Sequence, residues 1–274
     1  MAEQITIIQP KKTFSLDDIR EIWQYKELLY FFVWRDFKVK YKQTMIGVAW
    51  AIIQPFTTMV IFSVFFGKLA KIPSDGVPYP IFVYTGLLFW QMFSGALSSV
   101  SSTLISNGSL LTKVYFPRLI IPLSDSLNQL VDFFFASIML AILMIYYGYF
   151  PYLEGILVLP LLVVITLMAA IGGGLVLASL NVKYRDIRYA LPFFMQMLLF
   201  VTPVIYPASI AGKYSWILAI NPMTGVIKAA RGSILGTEPI NWILLSISLV
   251  AVIVVFAIGI VFFKRTERYF ADIV

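Results

Sequence analysis

The chain has 274 residues, 60% hydrophobic, 16% aromatic and only 13% charged, where a soluble domain carries about 45–50% apolar and about 25% charged residues. That balance excludes a water-soluble globule, and the formal net charge of +7 is assigned to anionic lipid headgroups rather than nucleic acid because the basic residues flank apolar runs. With no cysteine and no histidine, disulfides, thiolate or imidazole metal sites, a Ser-His triad and a histidine proton switch are also excluded.

The first 30 residues hold no apolar core of signal-peptide type, so the amino terminus is expected to be retained on the cytoplasmic side. Ser15-Leu16-Asp17-Asp18 reads as a helix N-cap with an acid three residues on, and Ile19, Ile22, Trp23, Leu29 and Tyr30 follow at helical spacing. Residues 15–30 are therefore expected to form an amphipathic helix, resting either in the headgroup layer or on the protein itself. Tyr30 to Lys42 is an aromatic and basic belt that marks where the chain meets the membrane, with Arg35, Lys38, Lys40 and Lys42 supplying positive charge.

A helix needs about 20 apolar residues to cross about 30 Å of hydrocarbon. Six windows qualify, 46–66, 79–103, 119–148, 155–180, 190–206 and 240–263, and of all charged side chains only Asp125 and Asp132 fall inside them. Six spans put both termini on one side. Of the 21 Lys and Arg residues, all but Lys68, Lys71, Lys213, Lys228 and Arg231 fall on that side, which the positive-inside rule makes cytoplasmic. The fifth window is short and bracketed by Pro192 and Pro203, and the apolar pieces after it are broken at Asn221-Pro222. Residues 207–239 are expected to be a re-entrant helical hairpin on the outer side, with a plain amphipathic loop as the alternative. The fold class is thus an all-α integral membrane protein of six transmembrane helices, with an N-terminal amphipathic interface helix and an outer re-entrant hairpin.

Asp125, Asn128, Gln129 and Asp132 share one face of the third span. A carboxylate at the bilayer centre costs about 2.5–3.5 kcal/mol, so this face must meet a cavity, a partner helix or the interface. A polar wall along a passage and an interhelical hydrogen-bond cluster tied to Arg118 are both open. Gln54 beside Pro55, and Gln196 and Thr202 near Pro203, are read as groups that satisfy backbone freed by proline. Gly172-Gly173-Gly174 is read as close helix packing. The loop 106–118 has room for a short exposed helix, whose Leu110, Leu111, Lys113, Val114, Tyr115 and Phe116 would dock into a soluble partner or rest on the membrane. No G-x-x-x-x-G-K-[ST] occurs, so this chain cannot cradle a nucleotide in the P-loop manner.

The segment from Arg35 to Thr44 runs into Ile46-Gly47-Val48-Ala49-Trp50 and Gln54-Pro55. Phe116-Pro117-Arg118, Asn181 to Ile187, Pro203-Val204-Ile205-Tyr206-Pro207 and Asn221-Pro222-Met223 follow it. In that order, and over nearly the whole chain, they resemble the permeases of the ABC-2 polysaccharide exporter family, which export O-antigen and teichoic acid. The resemblance implies a homodimer with a channel at its interface, in the inner membrane, resting on two copies of a cytoplasmic ATPase that holds ATP and Mg. This chain would bind no cofactor or metal and carry no catalytic residue. Its cargo would be an undecaprenyl-diphosphate-linked polysaccharide, with the diphosphate drawn to Arg35, Lys38, Lys40 and Lys42. Leu110 to Phe116 would be the coupling helix, and 207–235 would gate the exit. Channel-lining candidates are Asp125, Asn128, Gln129 and Asp132 with the aromatic residues Tyr84, Trp90, Phe200 and Tyr206, whose ring faces can stack on sugars.

Three other readings compete. One is an ABC-2 exporter of a drug or lipid. Another is a secondary transporter coupling ions through the Asp125 to Asp132 face, which calls for paired broken helices where only one is visible. The last is a membrane enzyme using Asp36, Asp186 or Glu154, which needs convergent carboxylates.

Overall fold

A computed structural model describes residues 16–42, 44–151, 153–184, 186–236 and 239–267. Ser15, named above, lies outside the described residues, as do the side chains of Leu16, Asp17, Ile19, Leu111 and Lys213. Helices α1 (Leu16–Gln24) and α2 (Lys26–Lys42) are separated by a turn at Tyr25. Gly47, at φ 59°, redirects the chain into a tight turn (Gly47–Ala49) and then α3 (Trp50–Phe62), which widens into a π-helical stretch (Ser63–Leu69). After it come α4 (Tyr79–Ser106), α5 (Gly108–Lys113), α6 (Ile120–Tyr147), α7 (Leu153–Lys183), α8 (Ile187–Val201), α9 (Ser215–Ile220), α10 (Pro222–Leu235) and α11 (Trp242–Thr266).

The chain is an all-α integral membrane protein. Among the described residues five helices, Gly47–Leu69, Tyr79–Ser106, Ile120–Tyr147, Glu154–Lys183 and Trp242–Thr266, are long and apolar enough to cross a bilayer. The window expected at 190–206 differs. There the helix is α8, whose 15 residues rise about 22 Å, short of about 30 Å of hydrocarbon. It stops because Thr202 precedes Pro203, which disfavours helical backbone, and Thr202 is accordingly extended at ψ 137°. The chain does not leave the protein at this break, for Thr202, Pro203, Val204 and Ile205 are all buried.

Both ends of the described chain meet at one end of the bundle. Lys264 of α11 reaches Asp18 of α1 at 3.3 Å, Arg118 just before α6 donates to the Glu267 carbonyl, and Arg35 of α2 donates to Asn107 between α4 and α5 at 3.4 Å. We refer to this as the terminal end and to the opposite one as the distal end. Helices α7 and α11 both run from the distal to the terminal end, so α8 and the buried stretch after it bring the chain back between them.

The centre of the bundle is α4, packed by α6, α7, α10 and α3. It is the least apolar of the five long helices and the most buried, whereas α3, α6 and α11 are more apolar and more exposed. That distribution belongs to a lipid solvent, in which oily side chains gain nothing by hiding and interhelical contact depends on shape and hydrogen bonds. Small residues let the backbones close up where α7 crosses α11. A Cβ on Gly172 would stand 2.6 Å from the Phe256 Cα, and Gly259 of α11 faces Gly172 in return. The glycine run is a helix–helix contact.

Gly172→Ala is expected to cost about 1–3 kcal/mol through overpacking and to lower the unfolding midpoint in detergent. Gly173→Ala meets only the tip of Leu97 at 3.2 Å and should shift it less. Equal midpoints for the two variants would remove the crossing from the account.

Candidate functional site

At the terminal end the loop from α5 to α6 is built on an aromatic joint. Phe116 is only 5% exposed and packs edge-on against Phe32 of α2, with ring centroids 5.8 Å apart. Ile120 and Ile121 complete the cluster, and Leu110 is half-buried beside it. The Arg35 guanidinium covers the other side of Phe32 at 4.9 Å. Immediately before this joint Lys113, Val114 and Tyr115 project outward, Tyr115 being 84% exposed. The coupling residues expected from the sequence therefore divide into an exposed tip of Lys113, Val114 and Tyr115 and an anchor of Phe116 and Leu110.

Above the joint, α2 runs along α6, and the polar face of α6 forms the seam. Asp132 accepts hydrogen bonds from Lys40 and from the Tyr41 hydroxyl. Burial, reinforced by the Asp132 carboxylate, pushes the Tyr41 hydroxyl above the usual phenol range, so it remains a donor. Gln129 reaches Ser99 of α4 at 3.4 Å, Asn128 turns back onto the Ser124 carbonyl of its own helix at 3.3 Å, and Asp125 lies within electrostatic range of Arg35 and Asp36. Arg118 donates to the Glu267 carbonyl at the end of α11. A cavity of about 200 Å³ opens beside the seam between α2, α3, α4 and α6.

The four cations of the aromatic belt are not equivalent. Arg35 is bonded to Asp36 at 2.7 Å and Lys40 to Asp132, whereas Lys38 lies 4.8 Å from the Trp34 ring and Lys42 is exposed. The aromatic candidates also separate. Tyr84 is fully buried, its hydroxyl donating to the Ala136 carbonyl at 2.9 Å, and Trp90 is buried within the same core. Phe200 is exposed on α8, and Tyr206, half-buried, donates to the Val201 carbonyl at 3.0 Å.

The distal end holds a group that the sequence reading left in an outer loop. Arg231 of α10 is 7% exposed. Its guanidinium lies 3.5 Å from the Phe82 ring centroid and donates to the carbonyls of Phe82, Pro203 and Val204 at 3.3, 2.8 and 2.6 Å. Tyr79 adds a bond to the next carbonyl, Ile205, at 2.6 Å. Asn221 caps α10 through the Met223 amide at 3.0 Å and donates to the Thr202 hydroxyl at 2.7 Å. Proline at 203 and again at 207 denies this stretch a helical ladder, and the planar fork of arginine supplies donors to several carbonyls at once. The signal in the sequence was an arginine inside the apolar run Gly225–Ile234 with no acid beside it.

Residues 27–235 match the ABC-2 type transporter family, and the chain belongs to that family. It is 28% identical over 260 residues to the O-antigen export system permease protein RfbA of Myxococcus xanthus, covering 92% of this chain and 97% of that one. It is 26% identical over 240 residues to RfbA of Klebsiella pneumoniae, covering 87% and 92%. With the polysialic acid transport protein KpsM of Escherichia coli the identity is 19% over 235 residues, covering 85% and 91%.

Arg231→Met removes the donor from the Pro203 and Val204 carbonyls, which lie outside any helical ladder, each costing about 1–3 kcal/mol when left without a partner, and should lower the unfolding midpoint strongly. Arg231→Lys should recover only part of it, since a single ammonium cannot span the three acceptors. Thermal unfolding in detergent followed by circular dichroism reads the difference, and a midpoint unchanged in both variants would contradict the staple.

Proposed function

We propose, from membership in this family, that the chain is the membrane-spanning permease subunit of an ATP-driven exporter. Its cargo is a polysaccharide linked to undecaprenyl diphosphate, of O-antigen or teichoic-acid type, moved from the cytoplasm across the inner membrane. The single observation that supports this reading most is the exposed Lys113-Val114-Tyr115 tip, seated on the rigid Phe116–Phe32 joint, in a chain whose sequence has no P-loop. A tip of that kind is suited to docking in a groove of a soluble protein, and a permease with no nucleotide site of its own needs one that supplies force. The partner is a cytoplasmic ATPase in two copies, holding ATP and Mg between them, with two copies of this chain above. The terminal end, where most Lys and Arg residues fall, then faces the cytoplasm. Exposed apolar faces of α3, α8 and α11 meet lipid and the second copy. Export of a drug or plain lipid is less favoured because the relatives are named for O-antigen and polysialic acid.

The test is to purify the chain with the ATPase that accompanies it, place the complex in vesicles and add lipid-linked polysaccharide. ATP hydrolysis should rise several-fold. Transport driven by an ion gradient with no ATPase present would overturn the reading. Within the same assay Tyr115→Glu should cut the stimulated hydrolysis at least tenfold with the unfolding midpoint unchanged. Phe116→Ala should instead lose about 3–5 kcal/mol of stability, as buried aromatics do.

A further inference from the structure

The cavity beside the α2–α6 seam has no role in the account so far, and its lining is chemically unusual for a membrane protein. Gln54 of α3 and Gln91 of α4 both line it, and neither side-chain amide has a hydrogen-bond partner among the described residues. Gln129 presents a third amide. Its oxygen occupies the space that a Cβ on Gly95 would fill, and its nitrogen makes only the 3.4 Å contact with Ser99. An amide is donor and acceptor at once. Lys40 and Asp132 also line the cavity, but they are bonded to each other.

These charges decide what fits. An anion would need donors alone and would meet the Asp132 carboxylate; a cation would need acceptors alone and would meet Lys40. A hydroxyl both gives and accepts, so a neutral polyhydroxyl ring uses all three amides without disturbing the ion pair. One flank of the cavity is apolar, with Phe133, Leu88 and Pro55, and suits the C–H face of such a ring. The volume of about 200 Å³ is below the range of about 300–1,000 Å³ typical of drug-sized ligands and is the scale of a single sugar unit.

We propose that this cavity is a sugar-binding subsite, in which Gln54, Gln91 and Gln129 hydrogen-bond the hydroxyls of one neutral sugar unit of the lipid-linked cargo. The inference rests on the export reading above.

The chain has no cysteine, so Ser94→Cys, whose parent residue lines the cavity, reports occupancy through its rate of labelling by a methanethiosulfonate reagent. Ala51→Cys, whose parent residue also lines the cavity, is a second reporter on the facing helix α3, and Ser98→Cys, exposed one turn away on α4, is the control outside it. The complex with its ATPase, in nanodiscs without nucleotide, is labelled with and without undecaprenyl diphosphate bearing one N-acetylglucosamine, and with undecaprenyl diphosphate bearing no sugar. The sugar-bearing probe should slow labelling of both reporters at least fivefold and leave Ser98→Cys unchanged, and Gln91→Leu should abolish the protection. Equal protection by the sugarless lipid would overturn the inference in favour of a headgroup or acyl-chain site. No protection by either, in a complex whose ATP hydrolysis the lipid-linked polysaccharide still stimulates, would overturn the subsite alone; absence of that stimulation would instead remove the export reading.

Discussion

The constraint on which this structure depends is that a polar backbone group in a bilayer has no water to turn to. Helices meet it along their length, and the bundle is secure wherever they run unbroken. The stretch Thr202 to Pro207 does not meet it, for two prolines prevent a ladder while all of its residues but Tyr206 are buried. Arg231 and Tyr79 supply the missing donors, from α10 and α4 respectively. One buried cation thus joins the end of α8, the start of α4 and the length of α10. A guanidinium is costly to bury, and its cost is offset here by three carbonyl dipoles and the Phe82 ring, not by a bonded carboxylate.

The terminal end is organised on a different principle. Charges there pair with one another, Lys264 with the buried Asp18 and Lys40 with Asp132 across elements, and Arg35 with its neighbour Asp36 within α2. Pairs within reach of water contribute little to stability individually. Their effect is register: Asp132 fixes how far α2 extends along α6, and Asn107 fixes where α2 meets the α4–α5 corner. The aromatic joint of Phe32 and Phe116 beneath them contributes the apolar burial that those pairs lack.

The long helices were legible in the sequence because each is an apolar run, free of charge apart from Asp125 and Asp132 in α6, bounded by charges or proline, and 79–103 and 240–263 fall on α4 and α11. The weak fifth window was legible as weak for the same reason, since Pro203 limits α8 from its own position. The order of burial was only partly legible. The low apolar content of α4 agrees with its central place, because in lipid the most hydrophobic helices can be left outside, but α7 is more apolar than α3 and α6 and is nevertheless more buried. Phe116 and Tyr115 are adjacent aromatic residues with opposite fates, decided by Phe32, 84 positions away in the chain. The polar face of α6 was expected to avoid lipid; its partners in the structure, Lys40 and Tyr41, lie in a helix that the sequence assigned to headgroup contact. Arg231 was counted among the outer charges by the topology rule, within the segment read as a re-entrant hairpin, and counting charges cannot see three carbonyls converging on one of them.

The cavity and the docking tip are linked by covalent connection as well as by proximity. Helix α5 sits between α4 and α6 with only a short link on each side, and α2 is held to the same corner by Phe32 on Phe116 and by Arg35 on Asn107. Three of the four cavity walls, α2, α4 and α6, therefore share one base, and the base carries Tyr115. The fourth wall, α3, follows α2 after a short link containing Gly47 at positive φ, a conformation glycine adopts without strain. A displacement applied at Tyr115 acts on the common base first and reaches α3 through that link and through its packing on α4 and α6. The wall bearing Gln54 is therefore the one not built directly on the shared base, and Gln54 and Gln91, the amides without partners among the described residues, lie on both sides of that division.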